Sequence, residues 1–467
     1  MILAAAQFTP VPRDIDGNAA RMAALITEAA GRNADLVVFA ELALSRYDLE
    51  AIAADPEKMT VDPDDPRLAP VREACRATGT AAVVNAPGRA SQDGHRPFVS
   101  TFVYGPDGAL LTRYDKRHLS GAENDLFTPG TEEGRFTLGG IRFALATCYD
   151  NDFPEVPEQA AADACRVYLA SSFHDDPEWM ARYAAMARKH GLHILLANGT
   201  GTGTGVDRPD RPACGRSGAW LPTGEQVATA GAGTDLAPGE GSELVLTDVR
   251  DLITLMADPA VAAIGVEECG EPLVDVRTAA PALLAAADQL DERGASAHLR
   301  QGVLRRLLAA QESLPAGLRL QLVEGYRPPE LQRRYFEGYA QELRAAQPGW
   351  DAERIHRAAS RYVSPPDIAP HSAGGAVDVT LVTADGQGVD MGTPIDASPE
   401  ESDGACYTSA PDLTPAARTN RRILASALRA AGLVNYPTEW WHWSYGDRYW
   451  ALATGAEHAL YGPVEGL

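Results

Sequence analysis

Lysine is almost missing from this chain. Its 467 residues include three lysines, Lys58, Lys116 and Lys189, so 38 of the 41 basic residues are arginine. Where a generic positive charge serves, arginine supplies it. A lysine that persists is a candidate for a place where a planar guanidinium cannot replace a compact, deprotonatable ammonium. Cations of both kinds are outnumbered by 64 acidic residues, giving a formal charge of −23. A field of that sign repels phosphate backbones and anionic lipids, which excludes nucleic acid and membrane surfaces as general partners. No apolar run approaches the ~18 residues of a membrane-spanning helix. The opening MILAAAQFTP has no basic n-region, so no secretory leader is expected. Cysteine is also sparse. Cys75, Cys148, Cys165, Cys214, Cys269 and Cys406 are irregularly spaced and do not form a disulfide framework, so a reducing cytoplasm is the expected compartment. Internal repeats are lacking, and the glycine run 199–205 lacks the Gly-Lys-Ser/Thr ending of a phosphate loop.

What is present is two different textures. Short apolar runs at Met1–Gln7, Leu36–Ala40, Ala81–Asn85, Thr101–Tyr104, Arg142–Thr147, Val167–Ser171 and His193–Ala197 alternate with helical patterns at Ala19–Arg32 and Trp179–His190. Such alternation predicts a layered α/β domain. After the strand candidate Ser242–Val249 the pattern changes. Helices are expected at Ala279–Leu290, His298–Leu314 and Thr414–Ala431, a strand at Leu318–Glu324, and a long irregular region at Ser364–Leu413. At ~100–200 residues per domain the length allows two or three, and the texture favours two, 1–262 and 268–467.

In the first domain three reactive side chains fall at the ends of strand candidates. Cys148 follows the run Ile141–Thr147, Glu41 ends DLVVFAE, and Lys116 lies in YDKRHL. Strand ends of an α/β domain are where such folds place ligands. A thiol is mostly neutral near pH 7, so a carboxylate must take its proton. An ammonium nearby favours thiolate and can stabilise a tetrahedral oxyanion. These residues, with AELALSRY around Glu41, ENDLFTPG from Glu123, CYDNDFPE at Cys148 and GRSGAWLPTG from Gly215, make residues 1–260 resemble the carbon–nitrogen hydrolases of the nitrilase superfamily. The resemblance implies a four-layer αββα sandwich. It also implies Cys148 as nucleophile, Glu41 as general base, Lys116 as oxyanion stabiliser and Glu123 as a second glutamate that positions substrate or water. The implied reaction is hydrolysis of a small amide, carbamoyl amide or nitrile without a cofactor. Ala40 stands where this family usually has proline before the base.

The second domain carries another set: His371 and Asp378 in HSAGGAVD, Glu439 and His442 in EWWHW, and Arg327 in GYRP. Imidazole and carboxylate are good zinc ligands, and three protein ligands leave a position open for chemistry. A carboxylate near the metal can take a proton from water. Residues 268–467 resemble the zinc D-alanyl-D-alanine dipeptidases through LRQGVLRRLLAAQ, VEGYRP, PHSAGGAVDVTL, DMGTPID and EWWHW. By resemblance His371, Asp378 and His442 bind Zn²⁺, Glu439 is the general base, and Arg327 stabilises the transition-state oxyanion. The implied fold is a smaller α+β domain with the metal in a small cavity suited to dipeptides. The acidic segment after Asp396 is a candidate lid.

Together the two halves predict a bifunctional hydrolase acting on small-molecule amide and dipeptide substrates, a homo-oligomer through the nitrilase-like domain. The alternative is a single-activity zinc dipeptidase or D,D-carboxypeptidase whose nitrilase-like half is an oligomerisation or binding module.

Overall fold

The apolar runs of the first half become strands buried on both faces, as Leu36–Phe39 shows: all four of its residues are buried. A strand covered on both sides reads as a continuous hydrophobic run. The computed structural model describes residues 1–90, 95–204, 212–233, 237–239, 241–286, 294–360 and 362–466. Two units form, Met1–Leu252 and Ile253–Leu467.

Among the described residues the first unit has a small two-stranded sheet and two six-stranded ones. One runs Glu243–Asp248, Ile2–Gln7, Leu36–Phe39, Ala81–Gly88, Phe98–Tyr104 and Leu110–Asp115 in spatial order. The other runs Gln226–Thr229, Gly218–Trp220, His193–Asn198, Val167–Ser172, Ile141–Thr147 and Arg135–Leu138. Three central strands of each are parallel and the flanking ones antiparallel. The sheets face each other. Ser171 Oγ donates to the Phe39 carbonyl across the gap (2.8 Å), and Asn85 Nδ2 donates to Thr147 Oγ1 (3.3 Å). Helices Ile15–Gly31 and Ala69–Thr78 share an apolar core with the first sheet, and Glu155–Ala162 and Trp179–His190 with the second. This is the expected αββα sandwich. Helix Ile15–Gly31 shows how sequence builds a layer. Asp14 caps it by accepting from the Gly17 amide, and Ile15, Ala19, Met22, Ile26 and Ala29 bury one stripe. Burial of Met22 or Ile26 is worth about 1.5–3 kcal/mol each, so a charge at either would unseat the helix.

The second unit is smaller and α+β. Its sheet runs Leu284–Ala285, Leu318–Glu324, Ala376–Thr383, His442–Ser444 and Val434–Asn435, packed against helices Gln301–Ser313 and Pro415–Ala430. Two expectations change. The helix foreseen at Ala279–Leu290 is a short helix, Val276–Ala279, that ends before Pro281; Ala280 leaves the helical region at φ −147°, as a residue preceding proline tends to. Residues 287–290 of that span lie outside the described residues. The region foreseen as irregular, 364–413, contains the sheet's central strand, Ala376–Thr383. The stretch from Ile253 belongs to the second unit: Met256 and Val261 pack with Tyr436 and Tyr449, and Val266 bridges to Ala459. Among the described residues no helix is long and apolar enough to cross a membrane.

Candidate active sites

The first unit brings Glu41, Lys116, Glu123 and Cys148 together. Glu41 lies in the turn after strand Leu36–Phe39, and Lys116 directly follows Leu110–Asp115. Glu123 opens the short helix Glu123–Leu126, and Cys148 begins a 3₁₀ turn after Ile141–Thr147. The Lys116 ammonium is fully buried and donates to Glu41 Oε1 (2.7 Å) and to both Glu123 oxygens (2.8 Å each). Glu123 is fixed further by the Tyr47 hydroxyl (2.6 Å) and the Ser120 amide (2.9 Å). Glu41 Oε2 is buried with no partner in hydrogen-bond geometry among the described residues, while the Cys148 thiol is close enough to help its carboxyl ionise.

Burial dominates the electrostatics. It pushes the Glu41 carboxyl up to about 7, with Lys116 pulling down and Glu123 pushing up. For Lys116 burial disfavours the charge, but Glu41, Glu123 and Cys148 more than offset it, and the ammonium is held charged. Burial and the Glu41 charge hold the Cys148 thiol well above its ordinary range. The resting site therefore holds a neutral thiol beside a carboxyl that changes protonation near neutrality, the pairing a general base needs.

Three further residues support this group. Cys148 has φ +44°, a left-handed conformation rare outside glycine. Asp150 holds that elbow: its carboxylate accepts from the Thr147 amide (2.9 Å), the His118 amide (2.9 Å) and the Tyr114 hydroxyl (2.7 Å). One carboxylate thereby ties the Cys148 turn to the Lys116 loop. His174 places Nδ1 3.9 Å from Cys148 Sγ, stacks on Trp179 and meets the Tyr183 hydroxyl through Nε2 (2.9 Å). Burial, with Lys116 nearby, lowers its pKa to about 3 and keeps it neutral. Sequence reasoning named none of Tyr47, Asp150 and His174. The Thr147–Asp150 capping box was a signal for Asp150, and His174 follows strand Val167–Ser172 just as Cys148 follows its own. Nothing in the spacing pointed to Tyr47.

The second unit brings together His371, Asp378, His442, Glu439 and Arg327. His371 opens a 3₁₀ turn leading into the strand that carries Asp378, and His442 lies opposite Asp378 on the adjacent strand. Among the described residues His371, Asp378 and His442 form the group able to hold a metal. His371 Nε2 and His442 Nδ1 are 3.1 Å apart, and Asp378 Oδ1 lies 3.4 and 3.1 Å from them. Zn–N and Zn–O bonds of ~2.0–2.1 Å in a tetrahedron set ligand atoms ~3.3 Å apart, so these donors fit zinc. The His371 Nδ1 faces the Gly325 carbonyl (2.6 Å), which fixes its proton there and frees Nε2 as a donor atom. Burial opposes ionisation of Asp378, but His371 and His442 hold its carboxyl far below the usual carboxylate range.

Glu439 lies 3.8 Å from His442 Nδ1. Burial, then Asp378 and Asp396, raise its carboxyl well above the ordinary range. Arg327 is paired through Nε with Glu324 Oε1 (2.7 Å) and through Nη2 with the other oxygen, and it donates to Gln332 Oε1 (3.0 Å). All five residues line one cavity of about 640 Å³, roomier than the small cavity expected. Asp396 lines it too, its carboxyl raised by burial to about 6. The segment after Asp396 is tied down: Arg421 donates to the carbonyls of Ala405 (2.9 Å) and Tyr407 (2.8 Å). Cys406 is buried and outside the metal-ligating group.

Residues 2–240 match the model of the carbon-nitrogen hydrolase family, and residues 292–457 that of the D-ala-D-ala dipeptidase family. A D-alanyl-D-alanine dipeptidase of Synechocystis sp. is 30% identical over 237 residues, 44% of this chain and 96% of its own. The omega-amidase NIT2 of Homo sapiens is 23% identical over 245 residues, 50% of this chain and 87% of its own. Among solved structures, an amidase from Nesterenkonia sp. is 24% identical, covers 54% of this chain and 90% of its own, and has a TM-score of 0.47.

Proposed function

Because the chain belongs to the carbon-nitrogen hydrolase family through its first half and to the D-ala-D-ala dipeptidase family through its second, we propose that it is a bifunctional hydrolase. One site cleaves a small amide, carbamoyl amide or nitrile; the other cleaves a D-Ala-D-Ala-like dipeptide with zinc. Support for the first comes from one arrangement above all: a buried lysine shared by two glutamates beside a cysteine on a left-handed elbow.

In the first site Glu41 takes the thiol proton as Cys148 Sγ bonds to the substrate carbon. Lys116 stabilises the oxyanion that forms, and Glu123 holds Lys116 and orients substrate or water. Collapse expels ammonia or an amine, which receives the proton from Glu41. Water, deprotonated by the same carboxylate, then attacks the thioester and frees the acid. A nitrile would pass through a thioimidate instead.

In the second site His371, Asp378 and His442 would hold zinc. When bound, that ion supplies a Lewis acid for the scissile carbonyl and for the attacking water. Glu439 takes the water's proton and passes it to the leaving amine. Arg327, fixed by Glu324, presents a permanent charge to the developing oxyanion.

We further place the chain in a reducing cytoplasm, consistent with six unpaired cysteines. Self-association through the first unit is supported by Leu110 and Leu111, exposed large apolar residues on a sheet-edge strand.

The test uses the full-length chain on small amides, nitriles and D-Ala-D-Ala, with Cys148→Ala and Glu439→Gln as controls. Each variant should lose one activity and keep the other. Metal analysis should give about one zinc per chain, in line with three protein ligands and an open position. A chelator should stop dipeptide cleavage alone; equal inhibition of both reactions would refute two independent sites.

A further inference from the structure

The room in the second cavity lies along one face of helix Pro329–Ala346, where Leu331, Arg334, Tyr335, Gly338, Tyr339 and Glu342 line it at helical spacing. About 640 Å³ is a volume typical of sites for drug-sized ligands, ~300–1,000 Å³. An alanyl dipeptide brings only two methyl side chains to it.

Between the charged residues Arg334 and Glu342 this face presents two aromatic rings. Tyr335 is 48% exposed, unusual for a large ring, and the Arg327 guanidinium stands over it, 5.1 Å from its centroid. Tyr339 and Tyr362 meet edge to face at 4.9 Å. Their hydroxyls are already engaged: Tyr339 donates to Glu400 (2.8 Å) and Tyr362 to the Asp396 carbonyl (2.6 Å). What the two side chains have left to offer an occupant is ring surface. On the same helix face, a Cβ built on Gly338 meets nothing within 4 Å. Glycine inside a helix is less favourable than alanine, so this one gives up helix stability where the cavity needs depth. At the rim Arg334 has no acidic partner among the described residues, a cation that suits a carboxylate-bearing occupant.

We propose that this site selects dipeptides carrying one bulky aromatic side chain, seated over Gly338 beside Tyr335 and Tyr339, in preference to alanyl dipeptides. The inference rests on the dipeptidase function proposed above and names its substrate class. A methylene in apolar contact is worth ~10-fold or more in kcat/KM; the cavity as a whole is polar, but a phenylalanyl side chain seated on its rings in place of a methyl should gain about that much.

The zinc-loaded full-length chain is assayed on Ala-Ala, Phe-Ala and Ala-Phe in the D,D and L,L series. One aromatic dipeptide should exceed the alanyl dipeptide of its own configuration by about tenfold or more. Gly338→Leu, which fills the open space, should lower that ratio about tenfold, while Gly338→Ala should keep most of it. Melting temperatures no lower than that of the parent protein exclude misfolding. A second readout avoids catalysis: binding of free phenylalanine to the zinc-free protein, followed by ligand NMR, should weaken in Gly338→Leu. Hydrolysis without aromatic preference, and with a ratio insensitive to Gly338→Leu, would overturn the inference and leave the dipeptidase function standing. Absence of dipeptide hydrolysis alongside Gly338-dependent phenylalanine binding would do the reverse. Neither hydrolysis nor binding would sink both.

Discussion

Glu41→Gln should stabilise the protein at pH 8 while silencing the Cys148 site. Burial lifts the Glu41 carboxyl from an ordinary 4.5 to about 7. Ionising it in the folded state therefore costs roughly 3 kcal/mol more than in the unfolded chain. The sign follows from the direction of the shift. A group whose folded pKa is raised contributes its full stability below the unfolded value, and that contribution is lost as pH rises through the folded one. The penalty is thus absent below pH 4.5, grows between 4.5 and 7, and is complete above. Glutamine imitates the neutral acid at every pH, and Lys116 keeps both oxygens of Glu123 as partners. The variant should gain about 3 kcal/mol at pH 8 but only ~1 kcal/mol at pH 5.5. For a unit of this size each kcal/mol moves the melting temperature ~2–4 °C, so the pH 8 gain is roughly 6–12 °C. Scanning calorimetry of the full chain, following the transition of the first unit at both pH values, reads this directly. A loss of stability at pH 8, or a gain that does not change with pH, would show that the carboxyl is not strained by burial.

The same group sets the activity profile. As the proposed general base Glu41 has to be ionised to take the thiol proton, so kcat/KM for the amide reaction should climb with pH on a limb centred near 7; a rate flat from pH 5.5 to 8 would remove Glu41 as the base. Asp150→Ala should cost about 3–5 kcal/mol in denaturant unfolding, since two buried donors and one half-buried donor lose their shared acceptor together. It should also slow labelling of Cys148 by a thiol electrophile more than ~10-fold as the elbow relaxes. Unaltered labelling would mean that the left-handed turn holds without Asp150.

The first unit was legible because its central strands are buried on both faces, which leaves apolar runs such as Leu36–Phe39 and, within Ile141–Thr147, residues 143–146. Glu41 and Cys148 sit just past such runs and Lys116 just past the partly exposed edge strand Leu110–Asp115, so strand ends located all three. The second unit hid more. Strand Ala376–Thr383 lies in a stretch rich in Gly and Pro, and its neighbours in the sheet are far away in sequence. Helix Pro329–Ala346 escaped altogether. One of its faces lines an open cavity instead of a core, so Arg334, Gly338 and Glu342 interrupt the apolar stripe by which a helix is recognised. Hydrophobic periodicity reports burial, and a wall of a substrate cavity is not buried. Side chains that act through others, such as Asp150 and Tyr47, are chosen by geometry that no local spacing encodes.

The scarcity of lysine acquires its meaning from the two cations at the sites. An ammonium has three N–H donors, and Lys116 meets three carboxylate oxygens at 2.7–2.8 Å. A planar guanidinium could not converge on that point. Arg327 faces the opposite demand: two oxygens of one carboxylate, Glu324, side by side, a match for the guanidinium fork. In the proposed mechanism the saturation of Lys116 also matters for timing. At rest no N–H is spare for an oxyanion. When Glu41 accepts the thiol proton it loses its charge and its hold on Lys116 weakens, while the two bonds to Glu123 persist. The donor so released becomes available to an oxyanion, so the step that creates the nucleophile also prepares the charge that stabilises its product. Arginine in this place could not meet all three oxygens from one point, which gives a reason for one lysine to survive among 38 arginines.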